Sequence, residues 1–385
     1  VILAIALGLW GGIFMVAFSW GMTEQRTRYA LENEVSHIQI HTPAYSEDPK
    51  AEFYFENAAQ IIAFAEADPG VREATPRVIS SGMISSAKGA FGVQITGIDP
   101  EKEALVTQLS GKIREGDYFT DEGRNPVIIS SRMAEKLKVG LRKKVVLMFQ
   151  NLDGEIVSGA FRISGIYRSS NSRFDETYVY VRESDLYPLL GKSGITHEVA
   201  ILMEDASRLD SLSASLTAAY PDLKVEDWKA LSPDLSFVSE AFDQYIQLFM
   251  VIIMLALAFG IINTMLMAVL ERYRELGMLM SIGMSRIRIF LMIMLETVFL
   301  ALVGGPAGLL IAWATVSYFA VRGIDLSSFS EGLSQWGYES IVYTALDPKY
   351  YIQIAVWVVL TAILSSIYPA IKALRLNPVE AIRKI

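Results

Sequence analysis

From Ile246 to Leu270 the chain carries no ionisable side chain. A charge at mid-bilayer costs a helix about 2.5–3.5 kcal/mol, and about 20 apolar residues cross a ~30 Å hydrocarbon core. The run therefore predicts a lipid-spanning helix rather than the interior of a soluble domain. Residues 1–22, 289–321 and 350–371 pass the same test of length. Together they predict a membrane protein of four transmembrane helices, with a large extracytoplasmic α+β domain, residues 23–240, inserted between helices 1 and 2. Composition agrees, since 52% of the 385 residues are hydrophobic while 20% are charged, a blend that suits membrane helices joined to a water-soluble insert. Trp10, Trp20 and the lack of a small-residue cleavage site predict that the first run is a retained anchor rather than a signal peptide. Val1 already lies inside that apolar run, so the natural N-terminus is expected upstream.

Orientation follows from the short connections. Residues 271–288 hold Arg272, Arg274, Arg286 and Arg288, and the 372–385 tail holds Lys372, Arg375, Arg383 and Lys384. The 322–348 connection sets Arg322 against Asp325, Glu331, Glu339 and Asp347. Lys and Arg close to span ends stay in the cytosol. The 271–288 hook and the tail are therefore expected inside, and residues 23–240 and 322–348 outside.

Strand-like alternation marks "SHIQIHT", "FGVQITGI", "PVIIS", "KVVLMF", "FRISGIYR" and "TYVYV", while "AAQIIAFAEA", "SSRMAEKLKV" and "RLDSLSASLTAAY" carry apolar residues at helical spacing. "TEQRTRYALENEVS" and "EAFDQYIQLF" are expected to extend the first two membrane helices outward. The absence of cysteine removes disulfides, thiol nucleophiles and thiolate metal sites. Gly191-Lys192-Ser193 resembles the end of a phosphate loop, but Leu186 stands where the pattern needs glycine, so the match is one of chance. His37 and His41 lie four apart on a strand-like stretch and His197 is the only other histidine; zinc wants three or four ligands, so a solvated strand face is expected and no metal site. No Ser/His/Asp set or carboxylate pair stands out, and no basic stripe with interleaved aromatics suggests nucleic acid. The insert reads as a binding or structural element. Inside the third run, Glu296 is the one embedded carboxylate, expected to pack against polar groups such as Asn263 or Thr264. Gly304 and Gly308 form a small-xxx-small pair suited to close helix approach.

The hook, "ERYRELGMLMSIGMSRIRIF", is patterned as a short amphipathic helix. Leu276, Leu279, Met280 and Gly283 project near one side, and Arg272, Arg274 and Glu275 largely elsewhere. Such a helix either lies on headgroups or enters a groove on a partner. Gly277 and Gly283 each cost about 1 kcal/mol of helix stability relative to Ala, a cost that close approach to a partner would justify, so docking is the favoured reading.

Two motifs then carry a resemblance. Arg272, Glu275, Leu276, Gly277, Ile282 and Gly283 match the coupling segment of the MacB/FtsX/LolC-LolE permeases, with Met280 where a basic residue is usual. "SSIYPAIKALRLNPVEAIRKI" is similar to that family's C-terminal signature through Pro369, Ala370, Ala373, Pro378, Glu380 and Ala381. The order of one helix, a large insert and three helices also agrees. The resemblance implies a non-catalytic permease half of a mechanotransmission (type VII) ABC transporter in a bacterial inner membrane, with its large domain in the periplasm. It implies a second permease chain, identical or homologous, and a cytosolic ABC ATPase dimer. No cofactor is expected in this chain, with ATP and Mg in the partner ATPase. The hook becomes the coupling helix, its docking residues Arg272, Arg274, Glu275, Leu276, Gly277, Met278, Leu279, Met280, Ile282, Gly283 and Met284. Extraction of lipoproteins from the inner membrane, with a periplasmic chaperone as a further partner, is favoured over MacB-like efflux of toxins or antibiotics and over FtsX-like signalling to a cell-wall hydrolase. Acyl chains would then need an apolar surface near the outer leaflet, for which Phe14, Phe18, Trp20, Phe242, Tyr245, Phe249 and Met250 are the candidates.

Overall fold

The computed structural model describes residues 2–119 and 125–374; Pro378, Glu380 and Ala381 of the C-terminal motif, and the tail cations from Arg375 on, lie outside them. The chain forms two compact units. The first gathers Val1–Glu24, Glu240–Leu326 and the chain from Ile341 onward, and the second Gln25–Ser239 and Ser327–Ser340.

The first unit is helical. Its elements are α1 (Ile2–Ala30), α2 (Pro233–Glu271), α3 (Tyr273–Ser281), α4 (Arg286–Arg322) and α5 (Pro348–Leu374). Among the described residues four helices are long and apolar enough to cross a membrane, within Ile5–Val35, Pro233–Glu271, Arg286–Arg322 and Pro348–Leu374. The first two outrun the apolar stretches that announce them, because backbone i→i−4 bonding continues through helix-forming polar residues. Along α2 the residues Ile246, Met250, Met254, Leu257, Ile261, Met265 and Val269 are buried, one stripe at three- and four-residue spacing. The opposite face is equally apolar, with Phe259 76% exposed beside Leu255 and Ile252. A helix apolar on all sides has no face for water; hydrocarbon or another apolar surface must cover it.

Glycines set how closely α1 and α4 pack. A Cβ at Gly308 would stand 2.8 Å from the Ala6 carbonyl oxygen and 2.9 Å from Ala6 Cα, and one at Gly304 would stand 3.0 Å from the Ile2 oxygen. These are backbone atoms, which cannot step aside as a side-chain tip can. Trp10 Nε1 donates to Thr315 Oγ1 across the same helix pair at 3.0 Å. Gly308→Leu is expected to lower stability by about 1–3 kcal/mol or more through overpacking, read as a fall in the thermal midpoint in detergent. Gly260→Ala, where nothing lies within 4 Å of the new Cβ, should not lower the midpoint and is expected to raise it slightly, since alanine favours the helix.

The second unit is α+β. Its strands are β1 (Ile38–His41), β2 (Val71–Ser86), β3 (Gly89–Ile98), β4 (Ile113–Gly116), β5 (Pro126–Ser130), β6 (Lys144–Gln150), β7 (Ile156–Tyr167), β8 (Tyr178–Arg182), β9 (Glu198–Met203) and β10 (Lys224–Asp227). They form one sheet in the order β10-β1-β9-β2-β3-β8-β5-β7-β4, with β6 pairing β2 and β7. The β3–β8 and β5–β7 pairs are parallel. Helices Ala58–Glu66 and Leu209–Ala219 cover Ile38, Ile40, Val199 and Ile201. Helices Ser131–Leu137 and Glu183–Leu190 cover a second cluster that includes Val78, Ile95, Val127, Ile163 and Val179. The long strand β2 is not evident locally, since Pro76, Glu73 and Arg77 interrupt its alternation; pairing with β3, β6 and β9 holds it.

One local expectation is corrected here. His37 and His41 do not lie on a solvated face; both are buried. His37 Nδ1 accepts from Met203 N at 3.1 Å, and the Tyr45 ring lies 5.6 Å from that of His41 and 5.5 Å from that of His197. Strand β1 is interior because β9 and β10 flank it on both sides. Among the described residues no three His, Asp or Glu side chains gather as a metal site. Gly191 is the left-handed C-cap of helix Glu183–Leu190, and Lys192 pairs with Glu56, a structural use of Gly-Lys-Ser.

Candidate functional site

The hook condenses into α3 with defined ends. Arg272 is its N-cap residue. At its far end Met284 N donates to Leu279 O at 3.0 Å and Gly283 N to Met280 O at 3.1 Å, the paired bonds of a Schellman stop. Gly283 takes φ +103° there, a conformation that glycine adopts without Cβ strain. With nothing within 4 Å of its would-be Cβ, Gly283 ends the helix and turns the chain toward α4. That turn is a backbone role for Gly283 that the helical pattern did not announce.

The face assignment is corrected as well. Leu276 is 4% exposed in the helical core, with Met280 and Met284 packed against the same core. Gly277 is buried and Leu279 half-buried. The apolar side expected to meet a partner is thus consumed by the helical unit itself. What α3 and its C-terminal turn present outward is Arg274, Glu275, Met278 and Ile282, with Ile282 84% exposed and Met278 51%. Two bare apolar side chains beside an acid and a base make a small interaction face.

Arg272 also answers the question of Glu296. Its Nη1 lies 2.9 Å from Glu296 Oε1, so the embedded carboxylate pairs with the start of the hook. Among the described residues no hydrogen bond joins Glu296 to Asn263 or Thr264; Thr264 Oγ1 donates to the Gly260 and Ile261 carbonyls of its own helix. Glu296 lies ten residues beyond Arg286, about 15 Å along α4 at 1.5 Å per residue, and it is the long side chain of Arg272 that reaches it.

The aromatic candidates divide. Met250 and Phe242 are buried in the helical core, with Trp20 4.7 Å from the Phe242 ring. Phe14 is held between Trp10 and Phe319, at 6.2 and 5.9 Å, and Phe18 is half-buried. Tyr245 and Phe249 are exposed. The structure therefore leaves Tyr245 and Phe249 open, while the buried members pack the seam of α1 and α2.

A feature of the second unit has no counterpart in the sequence reading. Residues 327–340, from the connection between α4 and α5, belong to this unit. Ser172 Oγ donates to Ser334 Oγ at 2.9 Å, Arg26 Nε donates to the Trp336 carbonyl at 3.1 Å, and Gln25 donates to Glu339. Arg173 lies over the Trp336 ring at 5.7 Å. Arg26 also bridges Glu34 at 3.2 Å, and Lys112 donates to Asn33 while lying over the Tyr29 ring at 4.5 Å. Burial lowers the Lys112 pKa to about 8, against the opposing pull of Glu34, Asp175 and Glu339; at neutral pH it remains mostly a cation among those carboxylates. Trp336 in an otherwise polar, acidic connection was the available signal for this clasp.

Comparison with known proteins supplies the family. The MacB-like periplasmic core domain matches residues 1–219, and the FtsX-like permease C-terminal domain matches residues 247–378. The chain is 25% identical to an uncharacterized ABC transporter permease of Methanocaldococcus jannaschii, over 74% of this chain and 69% of the relative. It is 22% identical to the lipoprotein-releasing system transmembrane protein LolC of Neisseria meningitidis serogroup B, over 99% of this chain and 92% of the relative. The solved periplasmic region of MacB from Actinobacillus actinomycetemcomitans aligns with 55% of this chain and 97% of its own, at 13% identity and a TM-score of 0.38.

Proposed function

This chain belongs to the ABC transporter permeases that join a MacB-like periplasmic core domain to an FtsX-like permease domain, and from that membership we propose that it is the membrane subunit of a machine doing work outside the bilayer with ATP hydrolysed inside. All four long apolar helices cross the membrane. By the distribution of Lys and Arg, α3 lies in the cytosol and the α+β unit in the periplasm of a bacterial inner membrane. A cytosolic ABC ATPase dimer supplies ATP and Mg, and a second permease chain completes the assembly.

One observation carries the reading. A nine-residue helix is fastened inward by Leu276, Met280 and Met284 while Met278 and Ile282 stay bare outward. A helix lying on lipid would turn its apolar stripe to the bilayer; this one turns it to the bundle and keeps a second apolar pair for a protein groove. Arg274, Glu275, Met278 and Ile282 form the contact with the ATPase. Arg272, paired with Glu296 on α4, makes a push on the hook a push on α4. Helices α1 and α2 run on to Ala30 and back to Pro233, so each is longer than the apolar run it contains.

The substrate we propose is a lipoprotein withdrawn from the inner membrane, supported by similarity to LolC along almost the whole chain. Tyr245 and Phe249, the open members of the aromatic set, would meet its acyl chains. The test is reconstitution of the chain, its second permease and its ABC ATPase in proteoliposomes holding a triacylated lipoprotein. ATP is expected to move lipoprotein into the soluble fraction when a periplasmic carrier is supplied, and Tyr245→Asp/Phe249→Asp to abolish that release without loss of ATPase binding. Full release by the double variant would remove those residues from the substrate path. ATP-driven transport of a small toxin with no lipoprotein release would favour efflux, to which the MacB-like core domain also lends support.

A further inference from the structure

The α+β unit holds a cavity of about 540 Å³ lined by one face of its sheet. Cross-strand register explains its chemistry. Gln39 stands opposite Glu226, Arg77 opposite Glu198, Ile79 opposite Thr96, and Gln94 and Thr96 opposite Tyr178 and Tyr180. Alternate residues of a strand share a face, so a mainly polar band crosses β10, β1, β9, β2, β3 and β8, while Ile38, Ile40, Val199 and Ile95 supply the apolar cores. An interior sheet face is ordinarily apolar, and a buried polar group without a partner is costly.

Several of these groups are buried and unpartnered. Thr96 Oγ1 has no hydrogen-bond partner. Among the described residues the hydroxyls of Tyr45 and Tyr180 have none either, and Glu198 accepts at Oε1 only, from Arg77 Nη1 at 2.6 Å. All four residues are more than nine-tenths buried and all line the cavity.

The sign of the site follows from its charges. Among the described residues Arg77 is the only Lys or Arg on the cavity wall, against Glu34, Glu198 and Glu226. The Arg77 guanidinium is already claimed, by Glu198 and by Glu103, whose two oxygens receive Nη2 at 2.7 Å and Nε at 3.0 Å. Two carboxylates around one guanidinium leave one net negative charge in a water-poor recess. Glu34 and Glu226 are balanced by Arg26 and Lys224. An anion would meet the carboxylates with no unclaimed cation among the described residues to offset them; a donor-rich cation would find Glu198 Oε2, phenol oxygens and Thr96 Oγ1 able to accept, with the Phe174–Tyr178 stack, centroids 4.3 Å apart, as an apolar wall.

We propose that this cavity is a binding site for an organic cation, an alkylammonium group held by Glu198, Tyr45 and Tyr180. The volume lies within the ~300–1,000 Å³ of small-ligand sites, enough for a diamine or for a lysine side chain with its flanking peptide. No residue of the hook and none of the aromatic candidates lines the cavity, and the proposal does not depend on what the machine moves.

Titration calorimetry on the full-length chain in nanodiscs tests it, with cadaverine, a lysine-containing tetrapeptide, 1,5-pentanediol and citrate as probes. Cadaverine or the peptide is expected to bind while pentanediol and citrate do not; binding by the peptide alone would identify a polypeptide as the source of the ammonium. Glu198→Gln should weaken binding by about tenfold or more, since a charge-assisted bond is lost. Because Glu198 also holds Arg77, Tyr180→Phe is the second variant: it deletes only an unpartnered hydroxyl and should weaken binding while leaving the thermal midpoint unmoved. Failure of both cationic probes at millimolar concentration, equal binding of pentanediol or citrate, or unchanged affinity in both variants would overturn the proposal.

Discussion

Replacing Arg77 with methionine is expected to destabilise the α+β unit by about 3–5 kcal/mol, the cost of stripping the partner from a buried ion pair. Arg77 is almost fully buried, as are Glu103 and Glu198, and its guanidinium meets both at 2.6 to 3.0 Å. Burial by itself would lower the Arg77 pKa, but Glu103 and Glu198 more than offset it and drive the pKa above its ordinary value. The arginine is therefore charged at every pH at which the chain is folded. Without it, two carboxylates would share a site with no cation, and Thr107, which donates to Glu103 Oε1 at 3.1 Å, cannot compensate. A domain is typically stable by about 5–15 kcal/mol, so the loss takes a large part of the margin. The measurement is the urea midpoint of the ectodomain transition. Arg77→Met/Glu103→Leu/Glu198→Gln should regain most of the loss, because a buried ionic cluster replaced whole by apolar or neutral groups is often near neutral in stability. A single Arg77→Met variant within about 0.5 kcal/mol of wild type would show that water reaches the cluster.

Ile282→Asp on the hook is expected to weaken association with the ABC ATPase by about 100-fold or more. Burial of an isoleucine side chain contributes about 1.5–3 kcal/mol, and the variant loses this while adding a carboxylate that must be desolvated without a partner. Since Ile282 is 84% exposed, its own fold loses little, and the thermal midpoint of the chain should hold. Met278→Asp should act in the same direction. Leu276→Asp provides the contrast: it places a charge in the helical core, and should lower the thermal midpoint along with ATPase binding. Quantitative co-purification of the ATPase with each variant separates these outcomes. Undiminished binding by Ile282→Asp would remove the outward face of α3 from the interface.

Features with a local cause were legible in the residues. The four apolar runs announced the four long helices, because the energy of burying a charge in hydrocarbon is written position by position. The split between a helical part and an α+β insert, the short strands such as "PVIIS" and "FRISGIYR", and the presence of a helix in the hook followed from periodicity alone. Family membership was legible too, through two short motifs, and the comparisons bear it out.

The side of the hook that remains free was not legible. An amphipathic pattern states that one face will be covered and not by what; Leu276 and Met280 found their cover in the same chain, leaving Met278 and Ile282 bare. The partner of Glu296 was 24 residues away at Arg272, and the partners of Arg77 were 26 and 121 residues away. The period-two rows Gln94-Thr96 and Tyr178-Tyr180 were visible as strand alternation, but their meeting as one cavity wall required the parallel β3–β8 register. Sequence by itself determined which segments are long and apolar enough to cross a membrane, where the insert lies, and which kind of element each segment prefers, since transfer energies and helix and strand periods act over a few neighbouring residues. Tertiary structure alone decided which charges are neutralised, which apolar faces are spent, and that residues 327–340 close onto the α+β unit. Those outcomes depend on pairing between distant strands and helices, and no short-range preference encodes it.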